Sequence, residues 1–281
     1  MRTDPLVLRM CLGQLGSLLP HVVVPAVMAG HLIPAWGLSN AQAGLMAAAY
    51  AGGYMVAVPV LSALTDRHDA RRILWLGSLF SALATFGFAL LADGLVSAMV
   101  WWGLAGAGFA GAYMPGLRAL TDRLQGQDTS RAVTLFTASF SLGVGLSFLV
   151  SQWVADQWGW RWAFGLTGLG PVLMLGVAST LQPVQPPAAQ GHLLDVRPVL
   201  KNRPTMGYIL AYGAHCFELY GLRTWLVAFW TFVTLRHPGS GLPSPMWVSV
   251  LVTLLAMPAS IWGNELSIRH GRHRAIVWIQ V

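Results

Sequence analysis

The stretch VPVLSALTDRHDARR, residues 58–72, closes a long apolar run with a proline and then gathers Asp66, Arg67, Asp69, Arg71 and Arg72. The same ALTDR run returns at residues 119–123 inside MPGLRALTDRLQGQDTSR, residues 114–131, again at the end of an apolar stretch with a proline upstream. Working outward, the flanks are almost free of charge for long enough to cross a bilayer, which takes roughly 20 apolar residues. Over the whole chain 55% of residues are hydrophobic and 10% are charged, against about a quarter charged in a soluble domain. The expected class is an all-α polytopic membrane protein.

Apolar periods place spans near 10–33, 41–64, 73–92, 95–117, 132–155, 161–181, 206–233 and 246–267, eight in number. The first is too long for a signal peptide, whose apolar core runs about 7–15 residues, and is read as a retained span despite Arg2, Arg9 and the small-x-small run Ala41-Gln42-Ala43. The loops after the even-numbered spans carry Arg67, Arg71 and Arg72; Arg118, Arg123 and Arg131; Arg197, Lys201 and Arg203; and Arg269, Arg272 and Arg274. The other loops offer Arg161 and Arg236, so the positive-inside rule puts the N-terminus and the basic loops in the cytoplasm of a bacterial-type inner membrane. Trp36, Trp158, Trp160, Trp162 and Trp247 fall at the opposite headgroup level.

The net charge of +7 resides in those short loops rather than on one face, which excludes a nucleic-acid partner. Cys11 and Cys216 lie in spans as packing residues. Gly103, Ala107 and Gly111, with Gly108, Ala112 and Gly116, make small-residue stripes for close helix packing in lipid. Residues 182–204 hold five prolines and a short amphipathic helix is expected at 195–203. The division is therefore an N-terminal six-span bundle over 1–182, a cytoplasmic linker over 183–204 and a partial second bundle over 205–281.

Ser62 to Arg72 resembles the loop pattern G-x-L-x-D-R-x-G-x-R-R of the major facilitator superfamily, matching at Leu64, Asp66, Arg67, Arg71 and Arg72, with Ser62 and Asp69 in place of the two glycines. Gly159-Trp160-Arg161-Trp162-Ala163-Phe164 is similar to the opening of that family's sixth span. Val199 to Pro204 is similar to its central loop, and Gly263-Asn264-Glu265 through Arg274 to a degenerate second copy of the loop pattern. The resemblance implies twelve spans, so the sequence is expected to be C-terminally truncated, and a monomer when full length. It also implies a cytoplasmic latch in which Asp66, together with Arg67, Arg71 and Arg72, meets Arg118 in one conformation and parts from it in the other. The second run, Thr121-Asp122-Arg123, acquires no role from it. The family's proton-coupled drug exporters place an arginine where Trp102 stands and a Gly-Pro pair where residues 141–145 have no proline, which argues against that subclass.

Charged groups inside spans are costly and are site candidates by default. Span seven, YGAHCFELYGLRTW, puts His215 and Glu218 three apart on one helix face with Tyr212 on the side of His215. Glu218 falls roughly 18 Å from Met206 at about 1.5 Å per residue, near the midplane. Glu218 is the expected protonatable or salt-bridged group and His215 its proton partner, while Arg223 either holds an anionic solute or pairs with Glu218 in one state. Span one adds Gln14, Ser17 and His21, with Pro20 and Pro25 positioned to bend it. Tyr50, Tyr54 and Tyr113 read as packing residues.

Haem or metal binding is a distant alternative, because His21, His31 and His215 share no depth. Hydrolase and phosphate-loop motifs are absent, so no enzyme and no cofactor is expected. One polar cluster between two bundles suits a carrier better than a channel. The expected function is alternating-access secondary transport of a small solute, proton-coupled and leaning to a small anion or organic acid. Proton-coupled efflux of small amphipathic compounds is the alternative.

Overall fold

The structure is a computed structural model and describes residues 4–124, 129–186, 196–271, 274, 277 and 278. Its helices are α1 (Pro5–Leu18), α2 (Val23–Val27), a π-turn (Met28–Leu32), α3 (Ile33–Trp36), α4 (Asn40–Leu64), α5 (Ala70–Leu91), α6 (Leu95–Thr121), α7 (Thr129–Trp158), α8 (Trp160–Ser179), α9 (Arg197–Lys201), α10 (Arg203–Arg236) and α11 (Pro245–His270). Among the described residues, α4 to α8 are each long and apolar enough to cross a membrane, and α1 with α2–α3 makes a sixth span bent by 45°. α10 and α11 stand where the seventh and eighth spans are expected. The expected amphipathic helix is present in part as α9; Asp195, and Arg272 and His273 of the second loop copy, lie outside the described residues.

Local chemistry sets the helix starts. Asp4 accepts the Leu6 amide ahead of Pro5, Ser39 and Gln42 form a reciprocal capping box, and Asn202 accepts the Thr205 amide. Gly159, at φ +90°, makes the left-handed turn between α7 and α8 that a side chain would strain. Arg161 then reaches back to the Ala89 and Ala92 carbonyls at 2.8 and 3.0 Å, satisfying the C-terminal end of α5.

The small-residue stripes of α6 are used on two sides. Gly77 of α5 lies against Gly111, where an added Cβ would meet the Gly111 Cα at 2.6 Å, and Gly53 of α4 lies against the Gly103 carbonyl. Gly16 of α1 and Gly170 of α8 cross in the same way. The opposite flank of α5 exposes Leu76, Phe80, Leu83 and Leu90 at 45–74%, a surface that suits hydrocarbon and not water.

Span one breaks where Pro20 cannot continue the helix. The Ser147 hydroxyl of α7, fully buried, accepts from the Val22 amide at 3.2 Å and donates to the Leu19 carbonyl at 2.6 Å. One side chain therefore satisfies two of the backbone groups that the break releases. Ser147→Ala is expected to leave them unpaired and to cost about 1–3 kcal/mol, read as a lower unfolding temperature in detergent; an unchanged transition would remove Ser147 from this role.

Candidate functional site

The break in span one delivers His21 into a chamber of rings. His21 is 5% exposed and its Nδ1 shares a hydrogen bond with the Tyr50 hydroxyl of α4 at 3.1 Å. Ring centroids of Phe109 (α6), Phe140 (α7) and Tyr220 (α10) lie 4.9, 5.5 and 6.5 Å from it. Tyr113 stacks beside Phe109 and Tyr54 lies tilted against it. Four helices thus converge on one histidine. Tyr50 and Tyr54, read from the sequence as packing residues, help wall this chamber.

Arg223 enters the same chamber from α10. Its guanidinium carbon lies 5.6 Å from the Phe140 ring centre, and it makes no ion pair among the described residues. Val227, one turn further along, is the buried residue of α10, so the side of the helix bearing Tyr220, Arg223 and Val227 is the one turned to span one. Glu218 is two residues from Tyr220, about 200° round the axis, and is exposed; His215 and Tyr212 are exposed as well. The structure thus brings His21 and Arg223 together and leaves Glu218 and His215 outside that chamber.

Gln14 and Ser17 are fully or nearly fully buried on the α1 side of the break, without a hydrogen-bond partner among the described residues. Trp102 occupies the place of the exporters' arginine. It is 1% exposed and packs on Tyr50 at 4.7 Å, so an aromatic wall replaces a charge there.

At the basic end the two ALTDR runs meet. Arg118 donates to Asp66 at 3.3 Å and to Asp122 at 3.0 Å. Arg123, which the sequence left without a role, binds Asp69 at 3.0 Å, the Ala119 carbonyl at 2.8 Å and the Gln182 carbonyl at 2.8 Å. Asp69 also caps α5 through the Arg71 amide and accepts the Val184 amide, both at 2.9 Å. Burial alone would raise the Asp69 carboxyl, but the Val184 and Arg71 amides and the Arg123 guanidinium outweigh it and hold it below its ordinary value. The pair at Asp69 is 6% and 10% exposed, whereas the pair at Asp66 is 36% and 59% exposed. The replacement of the pattern's second glycine by Asp69 was the signal: an acid at a loop glycine, with a repeated arginine for which no partner had been found.

A bundle of apolar helices enclosing a polar and aromatic chamber, with a charge network tying its loops at one end, is the architecture of a membrane transport protein. The chain belongs to the Major Facilitator Superfamily, whose family model matches residues 10–281. Protein spinster homolog 1 of Homo sapiens is 24% identical over 69% of this chain and 39% of its own length, and protein spinster homolog 3 of Danio rerio is 26% identical over 74% and 44%. The chain therefore spans about two fifths of the length of these relatives. In fold it is similar to a bacterial homolog of the human lysosomal transporter Spinster in an inward-facing and occupied conformation, at a TM-score of 0.71, 20% identity and coverage of 96% of this chain and 63% of that one.

Proposed function

We propose that the chain forms part of a secondary transporter that moves a small organic anion with an apolar body by alternating access. The observation that carries this is Arg223: a cation held among rings, without a carboxylate among the described residues, above the buried His21–Tyr50 pair. An anionic head would meet the guanidinium in a charge-assisted hydrogen bond while an aromatic or alkyl body lies against Phe109, Phe140 and Tyr220. A relative named sphingosine-1-phosphate transporter SPNS2, 26% identical over 67% of this chain, supports a solute of that mixed character.

The rest of the reading follows the charges. The basic loops face the cytoplasm, 183–204 joins two bundles, and Asp66 with Arg118 acts as a latch between states. Glu218 carries the coupling proton with His215 as partner, on a face of α10 other than the one meeting His21. Exchange in proteoliposomes of the full-length protein tests the solute class. Counterflow is expected with benzenesulfonate and hexyl phosphate and not with benzyltrimethylammonium. Counterflow of the cation alone would replace this reading with efflux of amphipathic cations.

A further inference from the structure

We infer that the basic end of α5 holds a binding site for the phosphate-bearing headgroup of an anionic membrane lipid. A cleft of about 860 Å³ lies between the loop after α4, the first turns of α5 and the segment after α8. Arg67, His68, Arg71 and Arg72 line it, together with Trp75, Leu76 and residues 183–186. Asp69 is the acid of this lining, and its charge is already taken by Arg123 and by the Arg71 and Val184 amides. The cleft therefore presents a net positive wall. Arg71 and Arg72 make no ion pair among the described residues.

The other side of the cleft is apolar and lies on the flank of α5 that continues as Phe80, Leu83 and Leu90, all exposed. Trp75 is 37% and Leu76 57% exposed, and the Trp75 indole N–H is spent on the Ser179 hydroxyl at 3.1 Å, which fixes the ring. Cations beside an indole, one turn above hydrocarbon-facing side chains, place charge at headgroup depth and apolar surface at acyl-chain depth. A free anion would use the first and gain nothing from the second. A phospholipid with a net negative headgroup uses both.

This site is separate from the His21 chamber and rests only on the chain being membrane-embedded, so it stands or falls independently of the solute. The test is native mass spectrometry of the protein released from nanodiscs containing phosphatidylglycerol and phosphatidylcholine, counting retained lipids. Selective retention of phosphatidylglycerol is expected, weakened roughly 25-fold in Arg71→Gln/Arg72→Gln at about fivefold per arginine. Arg71→Lys/Arg72→Lys, which keeps the charge, is expected to retain most of it, and Lys201→Gln, on the same basic side but away from the cleft, all of it. Trp75→Ala, which removes the apolar lip without touching a charge, is expected to shorten retention as well. Equal retention of both lipids overturns the proposal, as does equal weakening by Lys201→Gln, which would mean diffuse surface attraction. Displacement of the lipid by millimolar inorganic phosphate would make it a free-anion site and overturn it too.

Discussion

Arg123→Ala is expected to lower the stability of the protein by about 3–5 kcal/mol, the cost of leaving one partner of a buried ion pair alone. The lost guanidinium would strand Asp69, which is 10% exposed, and would untie the Gln182 carbonyl in the segment after α8. Asp66→Asn removes an exposed pair and is expected to cost no more than about 1 kcal/mol. Thermal unfolding in detergent separates the two, and equal shifts would show that burial does not rank them. The acid limb gives a second reading. The folded Asp69 titrates below its unfolded value of 3.8, so its contribution is complete above that pH and is lost as pH falls through the lowered folded value. Asp69→Asn should flatten the stability profile in that window and leave the neutral range merely offset downward.

Arg223→Ala is expected to reduce affinity for benzenesulfonate by roughly 10- to 150-fold, the worth of a hydrogen bond to a charged group in a ring-lined chamber. Arg223→Lys keeps the charge without the planar fork and should recover part of that loss. Tyr50→Phe removes the partner of His21 while keeping the ring that packs on Trp102, and should alter transport less than Arg223→Ala. Binding to the purified protein and counterflow in vesicles give independent values. Unchanged binding in Arg223→Ala would remove the anion from the proposed function. Glu218→Gln should act on the pH dependence of transport and not on anion affinity; an effect on affinity alone would place Glu218 at the solute and not on the proton path.

The spans were legible because the membrane imposes a local rule: each crossing segment must satisfy its backbone within itself and offer apolar side chains outward. The expected limits of the spans matching α4 to α8 fall within or close to the observed helices, and Pro20 with Pro25 announced the bend in span one. The resemblance of residues 62–72 to a known loop pattern named the family, and the family match bears it out. The pairing of Asp66 with Arg118 was likewise readable, because both sit at helix exits on the basic side.

Other long-range partners, which no shared position at a helix exit relates, were not readable. Ser147 meets Leu19 across 128 positions and Val184 meets Asp69 across 115, and no periodicity within a span encodes either contact. The helix faces of α10 were ambiguous for the same reason, since a span that is polar on several sides does not declare which side meets span one. Composition and period determined that this protein is a bundle of membrane helices with basic loops on one side. The rotation and crossing of those helices decided that His21 and Arg223 share a chamber and that Arg123 binds Asp69, because such contacts depend on where glycines let backbones touch and where a proline turns the chain.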